Sequence, residues 1–77
     1  MWKQVMDVSD DIRLFKAKPG RWMTYHVGYL PRDRRNDPYV KRLAQVLLSL
    51  SEEGKVSLAQ QKIDTMKYRY LVQWRKK

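Results

Sequence analysis

The sequence has no cysteine. That absence removes disulfides, thiol nucleophiles and cysteine-ligated zinc in one step, and it fits a reducing compartment such as the cytoplasm. Histidine occurs once, as His26. An imidazole base needs a positioned partner and a metal site needs several ligands, so no catalytic residue, metal or cofactor is expected. On a strand flanked by aromatic residues, His26 reads as a hydrogen-bonded structural residue. The three glycines lie too far apart to form a phosphate-cradling loop. No apolar run approaches the ~20 residues that span a bilayer, and the N-terminus lacks the apolar core of a signal peptide, so no membrane partner is expected. Acidic residues are scarce, eight against seventeen Lys and Arg. Six of the eight fall as Asp10/Asp11, Asp33/Asp37 and Glu52/Glu53, each group at or near a predicted helix end. Asp10, Asp11 and Asp37 thus read as capping or dipole residues rather than catalytic ones. The expectation is a protein that is not an enzyme.

What is present is positive charge, a formal +9 in 77 residues. So basic a short chain suits a polyanionic partner: DNA, RNA or an acidic protein surface. Hydrophobic residues make up 43% of the chain, with three Trp, five Tyr and one Phe. That is enough for one small core, hence a single domain over 1–77 with a stability on the order of 5 kcal/mol. Residues 1–8 and 75–77 read as loose ends, although Trp2, Val5 and Met6 could add a short docking strand or helical turn.

The chain is organised around residues 36–75. Asp37 is suited to cap a helix, since its carboxylate can accept from the free amides of the first turn. Pro38 at the first helical position loses nothing by lacking an N–H. Val40, Leu43, Ala44, Leu47 and Leu50 recur on one helical face, and Gly54 closes the helix in a left-handed conformation. Lys55 to Ile63 and Lys67 to Arg75 then read as a hairpin. In its second strand Tyr68, Tyr70, Val72 and Trp74 face one way, and Arg69, Gln73 and Arg75 the other. Upstream, Ser9 with Asp10 and Asp11 starts a short helix near Asp10–Ala17, with Ile12 and Phe15 on one face; Pro19-Gly20 prevents its extension. Trp22 to Leu30 is strand-like, with Met23, Tyr25, Val27 and Tyr29 on one side and Trp22, Thr24, His26 and Gly28 on the other. Gly28 marks a bulge or a close backbone approach. Arg32 to Asn36 reads as a basic loop, or as one helical turn over 33–37.

The predicted fold class is α+β and winged-helix-like: a short N-terminal helix and one main helix packed on a three-stranded antiparallel sheet. A standard winged helix has a further helix where this chain has only 31–36. On a wheel the main helix turns Lys41, Arg42, Gln45 and Ser49 outward, joined by Glu52 and Glu53 in its last turn. A polyanion is attracted to the first half of that face and repelled from its end, the polarity of a recognition helix in a major groove. Arg32, Arg34 and Arg35 extend the basic patch. Lys62, Lys67 and Arg69 on the hairpin could touch the minor groove or adjacent phosphates, with Asp64 a mild objection. Each of these sets has a plainer reading as an ordinary solvated surface. The aromatic residues Tyr25, Tyr29, Tyr68, Tyr70 and Trp74 would stack on unpaired bases if their rings met solvent. The helix needs a face on which to bury its leucines, and this favours a core role for them.

Residues 22–75 also resemble small uncharacterised proteins carried by bacteriophages. The resemblance rests on a strand ending in Gly28-Tyr29-Leu30, then Asp33-Arg34, Asp37-Pro38, Leu43-Ala44, Glu53-Gly54-Lys55-Val56 and a strand with Tyr68 and Tyr70. It implies a phage setting, in which small basic proteins bind DNA or bind and redirect a host protein, and it transfers no site residues. The leading expectation is a non-enzymatic protein that binds double-stranded DNA. The alternative is an interaction module docking on an acidic host protein surface, to inhibit or redirect an RNA polymerase, a nuclease or a CRISPR complex.

Overall fold

The computed structural model describes residues 8–76, and the expectation for Trp2, Val5 and Met6 lies outside them. Three helices and a three-stranded antiparallel sheet follow in the order α1 (Ser9–Lys16), β1 (Trp22–Gly28), α2 (Leu30–Asn36), α3 (Pro38–Glu52), β2 (Val56–Asp64) and β3 (Lys67–Trp74). The hairpin strand β3 lies in the middle, giving the sheet order β1-β3-β2.

The main helix forms as its residues dictate. Asp37 accepts from Tyr39 N at 2.9 Å and from Val40 N at 3.4 Å, and Pro38 opens the first turn. At the other end Gly54 has φ +79°, Lys55 N donates to Leu50 O, and Gly54 N to Ser51 O. That pair of bonds is the Schellman closure, which a residue with a Cβ enters only under strain. Leu43 and Leu47 are buried, and Val46 and Leu50 are half-buried against them. With Val8, Phe15, Val56 and Val72 they form the core. Val8 was expected in a loose end. Instead it is buried, and its carbonyl accepts from Ile12 N to start α1. Arg75 is held as well, its N–H bonded to Lys55 O at 3.0 Å.

Two features depart from the sequence expectation. Residues 32–36, read as a basic loop or as one helical turn over 33–37, are helical and make up most of α2, which is seven residues long and starts earlier, at Leu30. No residue of α2 is buried, so it carries no apolar stripe to announce it. Its charges do suit a helix, with Asp33 in the first turn and Arg34 and Arg35 in the last. The second departure is in β1, where the register with β3 slips between Thr24 and His26. Tyr25 is the extra residue of that bulge. Beyond a bulge the alternation of faces reverses. Val27, expected toward the helices, therefore opposes Arg69 on the outer face and is 48% exposed. His26 and Gly28 take its side, opposite Tyr70 and Tyr68.

Candidate nucleic-acid interface

The bulge sets the corner on which the site is built. His26, turned inward, meets Asp33 of α2, with Nε2 donating to Oδ2 at 2.8 Å. The same carboxylate oxygen accepts from Tyr29 N at 3.0 Å, and Oδ1 accepts from Arg32 Nε at 3.1 Å. Gly28 makes room for this cluster. Its φ is +146°, and a Cβ there would collide with Asp33 Oδ2 and sit 3.2 Å from His26 Nε2. Tyr70 ties down the start of α2, its hydroxyl accepting from Leu30 N at 3.0 Å. The His26 hydrogen bond is the main reason the Asp33 carboxyl is held below its ordinary range. Partial burial opposes it, and the bonds from Arg32 and Tyr29 add to it. Burial, and then Tyr70, push the Tyr25 phenol up.

Asp37 then serves two helices. Its N–H closes α2 on Asp33 O at 2.9 Å, while its side chain caps α3. A single extended residue between two helices makes a sharp corner. Arg34 and Arg35 at the end of α2 are thereby brought close to Lys41 in the first turns of α3. These three cations line one groove of about 670 Å³, together with Tyr29, Leu30, Pro31, Gln60, Tyr68 and Tyr70. None of the three is in an ion pair among the described residues.

The other residues named from the sequence distribute as follows. Arg32 is spent in part on Asp33 and borders a shallower depression with Arg35 and Asn36. Arg42, Gln45 and Ser49 are exposed along α3, as the wheel requires, but Leu48 lies among them at 51% exposure. Lys62 opposes Tyr68 and so shares the sheet face of the groove. Lys67 is at the hairpin tip beside Asp64. Arg69 points from the opposite face, where its Nη1 donates to Gln61 Oε1 at 3.2 Å, so the structure does not gather it with the rest.

Sequence reasoning missed the groove itself. Tyr29 and Tyr68 were weighed as a stacking surface for unpaired bases and as core, with core favoured. The signal available was the pairing of tyrosines with glutamine and lysine at facing strand positions, which apolar burial alone does not call for. Among the described residues no group of three or more His, Asp or Glu could hold a metal ion, and no helix is long and apolar enough to cross a membrane. No family model, curated protein or solved structure matches the chain.

Proposed function

We propose that the chain is a non-enzymatic, winged-helix-like protein that binds double-stranded DNA, with α3 as the recognition helix and the β2–β3 hairpin as the wing. The observation that carries this reading is the union of Arg34, Arg35 and Lys41 at the α2–α3 corner without acidic partners among the described residues. Cations at one edge of a helix whose exposed face continues through Arg42, Gln45 and Ser49 suit a row of phosphates beside a groove. The element order and the strand order β1-β3-β2 support the winged-helix reading, since α2 fills the place that looked empty from sequence. Lys62 and Lys67 supply the wing, and Arg69, from the far side of the sheet, does not take part. A phage origin, with action in the host cytoplasm, fits the resemblance of residues 22–75.

One observation favours the second reading, a module docking on an acidic host protein. Leu48 sits exposed between Gln45 and Ser49, one turn before Glu52. An exposed leucine beside an acid is better suited to a protein surface than to phosphates.

The test is the salt dependence of binding to a short blunt duplex. Each phosphate neutralised contributes a slope of about −0.9 to log K against log [salt]. Replacing Arg34, Arg35 and Arg42 together with Ala should weaken binding and flatten the slope while leaving the melt unchanged. Replacing Arg75, Lys76 and Lys77 removes equal charge from the chain end and serves as the control. Equal losses in both variants would reduce the interaction to net charge. No binding by wild type at low salt would retire the DNA reading in favour of the protein one.

A further inference from the structure

The helices leave one part of the inner sheet face uncovered, and its chemistry differs from the rest. Where α1 and α3 lie on the sheet, the inward residues are Val56, Leu58, Val72 and Met23. Toward the hairpin they become Gln60, Lys62, Tyr68 and Tyr70. Tyr70 is buried and forms a floor, while Tyr29 and Tyr68 are half-buried and line the groove. Their ring centroids are 6.3 Å apart and tilted by 32°, so the two already touch and act as one platform rather than a slot. Tyr68 continues to Tyr70 at 6.0 Å. Around this platform stand Arg34, Arg35 and Lys41.

From this we infer that the groove is a binding site for an unpaired nucleotide of DNA, its base stacked on the Tyr29–Tyr68 platform and its flanking phosphates on Arg34, Arg35 and Lys41. Three features select this occupant. The volume of about 670 Å³ lies within the usual range of ligand sites, roughly 300–1,000 Å³. An aromatic platform accepts any base, because every base has a π face, and needs no matching hydrogen bonds. Three cations without carboxylate partners among the described residues call for an anion, and a base joined to phosphates supplies the flat apolar surface and the charge in one ligand. Gln60, at the groove wall, can bond a base edge as donor and acceptor at once. A paired base cannot reach such a platform while stacked within a duplex, so the site answers to an end, a junction or an extruded nucleotide.

The inference rests on the proposed DNA reading and goes beyond it, because it gives the protein a preference for duplex with a single-stranded extension. The test measures fluorescence anisotropy with three probes at one salt concentration: a blunt duplex, the same duplex with short single-stranded thymidine extensions, and a third whose extensions carry abasic residues. The abasic probe adds the same phosphates without bases. Wild type should bind the thymidine-extended probe at least about fivefold more tightly than the other two, the low end of what stacking one base on an aromatic ring contributes. Tyr29→Leu combined with Tyr68→Leu should abolish that preference, whereas Tyr68→Phe, which keeps the ring, should retain it. Equal affinity of wild type for the thymidine and abasic probes would overturn the inference and leave duplex binding standing, and this comparison needs no variant. A preference that survives the double leucine change in a folded protein would overturn it as well. Failure of wild type to bind all three probes would overturn both the inference and the DNA reading on which it rests.

Discussion

The two ends of the inner sheet face share strands, register and direction, yet they are built for different ends. At the closed end Val72 is fully buried under the helices, Leu47 of α3 is likewise at 0% exposure, and Phe15 and Val56 complete an apolar core. At the open end, starting only two residues further along β2 and β3, tyrosines and a glutamine face a groove. Tyr70 is the boundary: its ring is 5% exposed and its hydroxyl accepts from the start of α2. The helices must bury aliphatic area to hold the fold, and they have done so by the time they reach Tyr70. Past that point the face is free of that task, and its residues are aromatic and polar instead.

The largest effect should come from breaking the closed end. Leu47→Ala removes a side chain with no exposure and should cost ~2–5 kcal/mol, which is most of the stability of a domain this small. The companion change at the open end, Gln60→Ala on an exposed residue, should stay within about 0.5 kcal/mol. Denaturant unfolding compares the two, and similar losses would dissolve the distinction between the ends.

Next comes the corner that carries α2 over the open end. Gly28→Ala places a Cβ against Asp33 Oδ2 at a positive φ and should cost about 1–3 kcal/mol. At Gly54, also at positive φ but with nothing within 4 Å, alanine should cost only the backbone strain, about 1 kcal/mol. Reversal of that order would mean that the packing of Gly28 on Asp33 carries no weight.

A smaller effect should be seen in acid. The folded Asp33 carboxyl titrates below its ordinary value of 3.8, chiefly because His26 bonds the charged form. A depressed folded value stabilises the protein above the unfolded value and is lost as pH falls through the folded one. Wild-type unfolding midpoints should thus fall more steeply below pH 3.8 than those of Asp33→Asn. Parallel curves for the two proteins would show that the His26–Asp33 contact does not hold α2 in place.

The smallest effect lies at the hairpin tip. Met66 has φ +57°, a left-handed conformation that costs an L residue more than it costs glycine. Met66→Gly should raise the melting point slightly, by the equivalent of about 0.5 kcal/mol once the flexibility of glycine is offset. A fall instead would point to a packing role for a side chain that is half exposed.

Local chemistry made much of this legible in advance. Asp37, Pro38 and Gly54 delimit α3 from sequence because caps and stops act within one turn. The leucine spacing identified Leu43 and Leu47 because a helix can bury only one face. The facing sides of β3 followed from strict alternation. The short first helix was placed within one residue at each end, Asp10–Ala17 against Ser9–Lys16. The residue types of the candidate site were also visible, since Arg34, Arg35 and Lys41 stood out as basic near one helix end.

What sequence could not supply was anything that depends on two distant segments meeting. A helix such as α2 buries no residue of its own and is held by bonds from Tyr70 and His26. No periodicity inside 30–36 can announce partners at positions 26 and 70. The bulge at Tyr25 is likewise set by the pairing of β1 with β3 and the need to seat His26 on Asp33, so the faces of His26, Val27 and Gly28 came out reversed. Positive charge, capping and aliphatic spacing are properties of the chain by itself, because each acts over a few residues. The groove belongs to the tertiary structure alone. Its walls come from α2, α3, β2 and β3, and only the sharp corner at Asp37 and the antiparallel register of the hairpin carry three cations to one tyrosine platform.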